Sequence, residues 1–448
     1  MFKRKIDNYI ENYYKENKNA LLITGARQIG KTYSIREFGK TFESFIEVNF
    51  IEKPDAVGLF VGAKDAADIL LRLSTITDVP LLPSRTLIFF DEVQVCPEIV
   101  TAIKFLVDEG SYRYILSGSL LGVELKDLRS EPVGYMGIKD MYPMDFEEFI
   151  SSLGINTQVI AALRTAWENR QAVDSFVHEK IMELFRLYLV VGGMPAAVNK
   201  YVESNNMQEV MKIQQEIIQM YKRDIAQYDP ANKLSIEEIF NLIPPELNAK
   251  NKRFILKRLN ENAKFDRYQN SFLWLKNAGV ALPVFNVEEP KMPLLLSRSR
   301  NLFKLFQSDI GLLAAQYAEG IQMRILQGEK SINFGSVYEN AVAQELAAHG
   351  FALYYYNSKK RGELDFLIEL QGKVLPLEIK SGKDYEVHRA LSSILDCGEY
   401  DLPEAVVFNN ENLHVDGKIV YAPIYMVMFL EKKNEAPLYY KVDLTGLQ

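Results

Sequence analysis

Only two cysteines, Cys96 and Cys397, occur in 448 residues, so neither a disulfide framework nor a zinc module can be assembled from them. The expected setting is a reducing cytoplasm. Histidine is equally scarce: His178, His349, His388 and His414 stand apart in the chain and read as ordinary surface or core residues. No apolar run reaches the roughly 18 residues that a membrane span needs. The nearest, from Leu187 to Val198, is broken by Gly192, Gly193 and Pro195, so no membrane partner is expected. Residues 1–19 open on a basic segment but lack the apolar core of a signal peptide, and read as an amphipathic leading helix. Internal repeats and low-complexity tracts are absent as well.

What is present is ordinary for folded chains: 48% hydrophobic and 25% charged residues, enough for two to four domains with real cores. A net charge of −7 argues against a protein coated in nucleic acid, although a local basic face fits within an acidic total.

The most specific stretch runs from Ala20 to Thr32, an apolar strand leading into a glycine loop and then a helix. Gly25, Ala26, Arg27, Gln28, Ile29, Gly30, Lys31 and Thr32 follow the form G-x-x-x-x-G-K-[ST], in which glycines let successive N–H groups face the phosphates of a nucleotide. Lys31 is expected to reach the β/γ-phosphates of that nucleotide and Thr32 to offer a hydroxyl to Mg²⁺. Downstream, FIEVNF (45–50) alternates like a strand, and Thr86 to Asp91 reads as a strand buried on both faces with Asp91 and Glu92 at its carboxyl end. Asp91 is placed to hold Mg²⁺, and Glu92 to orient and deprotonate the attacking water. After a helix from Pro97 to Asp108, the strand Arg113–Ser119 ends in Ser117 and Ser119, either of which suits a sensor of the γ-phosphate.

GARQIGKT, FFDEVQ, LSGSLLG and GYMGIKDMYPMDFEEF, followed by LVVGGMPAAV (189–198) and MYKRDIAQY (220–228), together resemble the AAA-type ATPases of bacteria and archaea that carry an uncharacterised C-terminal domain. The resemblance implies ATP binding with slow hydrolysis and a helical lid that includes Gly192, Gly193 and Pro195. It also implies an arginine finger, for which Arg129 and Arg223 are the candidates. Tyr135 stands where relatives often show a basic residue.

From about Leu234 the pattern changes to short amphipathic helices, LSIEEIFNLI, KNKRFILKRL and a stretch ending in FLWLKNAGV. The apparent strands LPVFN and PLLLS then flank EEPKMP, and the whole reads as a winged helix. Lys250, Lys252, Arg253, Lys257 and Arg258 give its second helix a basic face, open to DNA contact or to simple solvation.

The last segment begins with an amphipathic helix from Val337 that carries Glu339 and ends at Gly350. FALYYYNS, Gly362–Leu370 and Val374–Lys380 read as strands, with Gln371-Gly372 as a tight hairpin that sets Asp365 opposite Glu378. Facing carboxylates repel, and are tolerated most readily around a cation. The arrangement resembles the PD-(D/E)xK pattern of the restriction-endonuclease fold. The resemblance implies that Glu339, Asp365 and Glu378 bind Mg²⁺ and that Lys380 positions or activates water, although a fold can persist without its chemistry.

The expected organisation is an α/β chain with a P-loop AAA-type parallel sheet at 1–150, a helical lid at 151–230, a winged-helix-like segment at 231–305 and a restriction-endonuclease-like domain at 306–448. The expected function is ATP hydrolysis, with Lys31, Glu92 and Ser119 as catalytic groups, coupled to a nuclease-like domain acting on DNA or another nucleic acid through Lys380. The rival is a nucleotide-controlled switch whose C-terminal domain binds a protein or nucleic acid without cutting it. A homo-oligomer is compatible with either. A small-molecule P-loop kinase leaves the C-terminal residues without a purpose.

Overall fold

The computed structural model describes residues 2–119, 134–228, 233–249, 252–259, 265–318, 320–329 and 334–432, together with 439, 440 and 442. Arg129 and Lys250 therefore lie outside the described residues. The leading helix is present at Lys5–Glu16, with Ile6 and Ile10 buried.

The first sheet is formed by β1 (Ala20–Thr24), β2 (Ser44–Asn49), β3 (Thr86–Asp91), β4 (Arg113–Gly118) and β5 (Met136–Asp140), in the order β2-β3-β4-β1-β5. Every pairing is parallel. Such strands are covered on both faces, which is why β3 is buried along its whole length despite ending in a carboxylate. β4 is inserted between β1, which leads into the glycine loop, and β3, which delivers Asp91. The two serines after β4 thus lie between the loop and the acidic strand end.

Helices at Phe146–Ser152, Thr157–Glu168, Ser175–Val191, Pro195–Ser204 and Met207–Tyr228 follow the sheet and occupy the stretch in which a lid is expected. The helix Ser175–Val191 stops at Gly192 (φ +70), and Pro195 starts the next one. A Cβ on Gly193 would overlap the Met144 carbonyl, so this turn is pressed directly onto the segment entering the lid.

The middle segment departs from expectation. LSIEEIFNLI does lie in a helix, Lys233–Leu247, and FLWLKN ends another, Phe265–Asn277. Among the described residues of KNKRFILKRL, however, the one helical element is a 3₁₀ turn, Leu256–Arg258. PLLLS is also a 3₁₀ turn, Leu294–Ser297, and the strand begins after it. The hairpin formed by β6 (Ala281–Val287) and β7 (Arg298–Gln307) is not a free wing. It belongs to the C-terminal sheet, with β8 (Tyr354–Ser358), β9 (Gly362–Leu370), β10 (Lys373–Ile379), β11 (Ala405–Asn409), β12 (His414–Asp416) and β13 (Ile419–Pro423). The order is β12-β13-β11-β10-β9-β8-β6-β7, and β6 pairs in parallel with β8. A boundary between residues 305 and 306 would cut through β7. The reason is physical: a hairpin pattern is local, whereas the strand that joins its far side comes some 70 residues later in the sequence.

One apolar core runs from the inner face of the first sheet through the lid helices to the second sheet, so the parts form one packed body. Gly193→Ala is expected to lower stability by about 1–3 kcal/mol through overpacking at the lid turn. Urea denaturation with an unchanged m-value checks this.

Candidate functional site: the phosphate loop and an acidic cluster

The glycine loop leaves β1 after Thr24 and enters the helix Lys31–Gly39. Gly25 has φ +137 and a Cβ there would overlap the Met141 carbonyl, while Gly30 enters the helix at φ +100. Both positions require glycine, and the turn they allow directs backbone N–H groups inward at the helix N-terminus. Lys31 lies along its own loop, with Nζ donating to the carbonyls of Gly25 (2.9 Å) and Ala26 (2.7 Å). Burial pulls its ammonium down to about 8, against the pull of Glu92 and Asp91.

Asp91 gathers the neighbouring polar groups. Its Oδ2 accepts from Thr32 Oγ1 at 3.0 Å and from Asn49 Nδ2 at 3.2 Å. Its Oδ1 accepts from Ser117 Oγ and, at 3.0 Å, from the Glu92 N–H. Burial pushes the Asp91 carboxyl up, and the hydrogen bonds from Ser117 and Thr32 oppose that. With Thr32 and Asp91 oxygens side by side, the donor set fits a hard divalent cation such as Mg²⁺.

Glu92 takes φ +57, a left-handed angle uncommon outside glycine and one that clusters at functional positions. It turns the side chain off the strand end, where Oε2 accepts from Gln94 Nε2 (2.5 Å) and Ser119 Oγ (3.3 Å). Ser119 also accepts from Arg27 Nε at 3.4 Å, and Arg27 Nη1 pairs with Asp224 Oδ1 at 2.7 Å. A polar chain thus runs from Glu92 to the lid helix Met207–Tyr228, and Tyr221 of that helix donates to the Arg27 carbonyl at 3.2 Å. The two sensor candidates divide the work: Ser117 touches Asp91 and Ser119 touches Glu92.

Sequence reasoning missed Asn49, Gln94 and Asp224. Gln94 was visible as a polar residue two positions after Glu92 in FFDEVQ. Asp224 lay inside the quoted MYKRDIAQY, next to the arginine that drew attention. Arg223 itself is exposed and lines an open groove of about 650 Å³ with Lys212 and Glu216. Gly279, at the end of the middle segment, was also unforeseen. It approaches the glycine loop so closely that a Cβ would lie 2.9 Å from the Ala26 nitrogen.

At the other end of the molecule, β9 and β10 pair in the expected register, with Lys373 opposite Leu370 and Leu377 opposite Phe366. The next step outward holds Asp365 and Glu378, and Asp365 Oδ2 accepts from the Ile379 N–H at 2.9 Å. Lys380 Nζ lies 2.9 Å from Glu378 Oε1, while Glu378 Oε2 is buried without a hydrogen-bond partner among the described residues. Glu339 arrives from the helix Phe334–Ala348 and is buried. What the sequence did not disclose is the cation among them. Lys304, on β7 and wholly buried, places Nζ 2.8 Å from Glu363, 3.5 Å from Glu339 and 3.8 Å from Asp365. Lys252 pairs with Glu339 as well. Burial alone would raise Glu339, but Lys304 and Lys252 hold it below the usual carboxylate range. Burial, with Glu339 and Glu378 nearby, drives Asp365 well above it. Among the described residues no group of three His, Cys, Asp or Glu side chains is placed to hold a metal ion.

Of the expected basic face, Lys252 faces Glu339 and Arg258 lies 3.0 Å from Glu246, while Lys257 and Arg258 remain exposed.

With that geometry in view, residues 17–150 match the family model of an AAA domain. This part of the chain is an AAA-type P-loop ATPase domain. Residues 182–322 and 334–427 match two domains of unknown function. No curated protein matches the chain. Similar solved structures include a Walker-type ATPase of Pyrococcus abyssi, at 14% identity and TM-score 0.41, covering 70% of this chain and 96% of that one. The RuvB Holliday junction branch migration motor of Thermotoga maritima follows at 14% and 0.28, covering 65% and 91%. The ORC1 protein of Aeropyrum pernix, solved in complex with DNA, stands at 12% and 0.25, covering 72% and 91%. Among the described residues no helix is long and apolar enough to cross a membrane.

The AAA-type domain carries a pH signature. With burial pulling the Lys31 ammonium down to about 8 and triphosphate oxygens favouring the charged form, nucleotide binding at this loop is expected to take up a proton above that pH. ATP affinity is expected to fall as pH rises through that range, approaching tenfold per unit. Calorimetry in buffers of different ionisation enthalpy measures the proton uptake directly.

Proposed function

We propose that the chain binds and hydrolyses ATP at the loop Gly25–Thr32 and uses the nucleotide state to control a C-terminal domain that binds a protein or nucleic-acid partner without cleaving it. The observation that carries the first half is the convergence of Thr32, Asp91, Glu92, Ser117 and Ser119 in one hydrogen-bonded network, beside the loop along which Lys31 lies.

In this reading the backbone N–H groups of the loop and the Lys31 ammonium hold the phosphates of ATP, Lys31 exchanging the Gly25 and Ala26 carbonyls for phosphate oxygens. Thr32 and Asp91 hold Mg²⁺, which when bound offsets charge on the β- and γ-phosphates. Glu92 orients the attacking water and accepts its proton, with Gln94 and Ser119 fixing the carboxylate. Ser119 and Arg27 connect that carboxylate to Asp224, so a change at the γ-phosphate is felt in the lid.

Contacts that support control of the C-terminal domain are direct. Asp309, at the end of β7, accepts the Gly193 N–H of the lid turn at 2.6 Å and caps the helix Ile310–Ala315 through the Leu312 N–H at 2.9 Å. The helix Phe334–Ala348 holds Glu339 near one end. Near the other, Glu345 accepts from the Phe146 N–H at 2.7 Å, and Gln344 donates to the Met144 carbonyl at 3.3 Å. Motion of the lid therefore reaches the acidic cluster through one rigid element.

The nuclease reading keeps one observation in its favour, the juxtaposition of Asp365, Glu378, Lys380 and Glu339. Against it stands Lys304, whose ammonium lies where the carboxylates converge.

Lys31→Ala is expected to abolish ATP binding and turnover. Glu92→Gln should retain binding while lowering kcat by about 10²–10⁴-fold, and unaltered turnover would overturn the assignment. Incubated with single- or double-stranded DNA or RNA and Mg²⁺ or Mn²⁺, the full chain is expected to leave the nucleic acid intact. Cleavage that disappears in both Asp365→Ala and Lys380→Ala would establish the nuclease reading instead.

A further inference from the structure

Two of the three carboxylates that a nuclease would use for metal binding, Glu339 and Asp365, already share a cation. Lys304 Nζ lies within 4 Å of Glu339, Glu363 and Asp365 at once, and its ammonium stands 5.1 Å above the centre of the Tyr355 ring. A buried ammonium with three carboxylates and an aromatic face has its charge fully met. Neutralising it is correspondingly unfavourable: burial works against the charge, but Glu339, Asp365 and Glu363 together hold its protonation above that of an ordinary lysine.

Nor is the lysine a side chain that can swing away. It sits in β7 opposite Val284 of β6, between the buried Phe303 and Leu305, and that register is continuous from Phe303 to Gln307. Withdrawing its ammonium would leave Asp365 in a dry interior without this counter-charge and Glu339 with Lys252 alone. A divalent ion placed between Glu339 and Asp365 would stand a few ångströms from the ammonium, whose repulsion in a poorly screened interior weakens the net attraction of two carboxylates already paired with it. Lys252 on Glu339 and Lys380 on Glu378 add further positive charge at the rim.

We propose that Lys304 is a built-in replacement for the divalent cation, so that the C-terminal domain keeps the acidic arrangement of a metal site as a metal-independent structural core. The inference rests on the non-cleaving switch reading and deepens it: the domain fails to cut because its own β7 occupies the place of the metal. It also assigns the β6–β7 hairpin a purpose other than that of a DNA-reading wing.

The test is Mn²⁺ binding to the full chain, read from the free Mn²⁺ signal in electron paramagnetic resonance, in an Asp91→Asn background that removes the carboxylate of the phosphate-loop site. In that background, adding Asp365→Asn is expected to change nothing, because no Mn²⁺ is held in the cluster. Adding Lys304→Met instead is expected to gain about one bound Mn²⁺ per chain, and a further Asp365→Asn should abolish that gain. Lys304→Gln serves where the methionine variant does not fold. A bound Mn²⁺ with Lys304 intact that Asp365→Asn removes would overturn the proposal. So would a folded Lys304 variant that gains none. Mn²⁺ held by the intact cluster without nucleic-acid cleavage would sink this inference alone, whereas metal-dependent cleavage would sink the switch reading with it.

Discussion

The buried polar face of the helix Phe334–Ala348 is the constraint on which the arrangement of the whole molecule depends. Glu339, Asn340, Gln344 and Glu345 are all essentially inaccessible to solvent on this one element. Buried groups of this kind are costly unless each is met by a partner, so each dictates where another segment must lie. Asn340 exchanges hydrogen bonds with the Gln307 backbone at 2.8 and 3.0 Å, which fixes the end of β7. Gln344 accepts from the Ile310 N–H at 2.8 Å and donates to the Tyr188 hydroxyl at 2.9 Å, tying the following helix to the lid. Glu345 receives Phe146 at the lid entrance, and Glu339 receives Lys304 and Lys252. An apolar helix in the same place could slide or rotate at little cost. This one cannot.

The same logic governs the nucleotide site, with charge rather than amides as the organising currency. Asp91 is surrounded by donors from β2, β4 and the loop helix, while Glu92 is turned by its backbone angle toward Gln94 and Ser119. Two adjacent carboxylates thereby acquire separate environments, the usual way in which neighbouring groups take different chemical roles. Arg27 then carries the influence of the site outward, because its guanidinium has one face on Ser119 and another on Asp224 of the lid.

The parts that were legible in the sequence are those in which chemistry demands particular residues at short spacing. The glycine loop, the acidic strand end and the paired serines fall in place because phosphate and metal ligation leave few alternatives. The β9–β10 register could be counted from Gln371-Gly372 because a two-residue turn fixes pairing. What was not legible depends on distant partners. Nothing local marks β6 as a neighbour of β8, and the run from Lys252 to Arg258 has good helix formers that tertiary contacts override. Lys252, at φ +40 and paired with Glu339, is where that override is visible. Lys304 was hidden for the opposite reason: a lysine in an alternating strand reads as solvent-facing, and only the assembled carboxylates turn it inward.

The position of β6 and β7 in the eight-stranded sheet has a consequence for how the chain is made and divided. These strands leave the ribosome before β8 to β13, so one flank of the hairpin remains without its partner until the later strands are synthesised. During that interval an unpaired, largely apolar edge is exposed to self-association. A fragment beginning after residue 306 would inherit the complementary problem, a β8 edge with nothing to pair with and an acidic cluster stripped of its lysine. The stretch that carries β6 and β7 and the stretch that carries β8 to β13 are therefore one folding unit, and the seam between them lies in the sequence only.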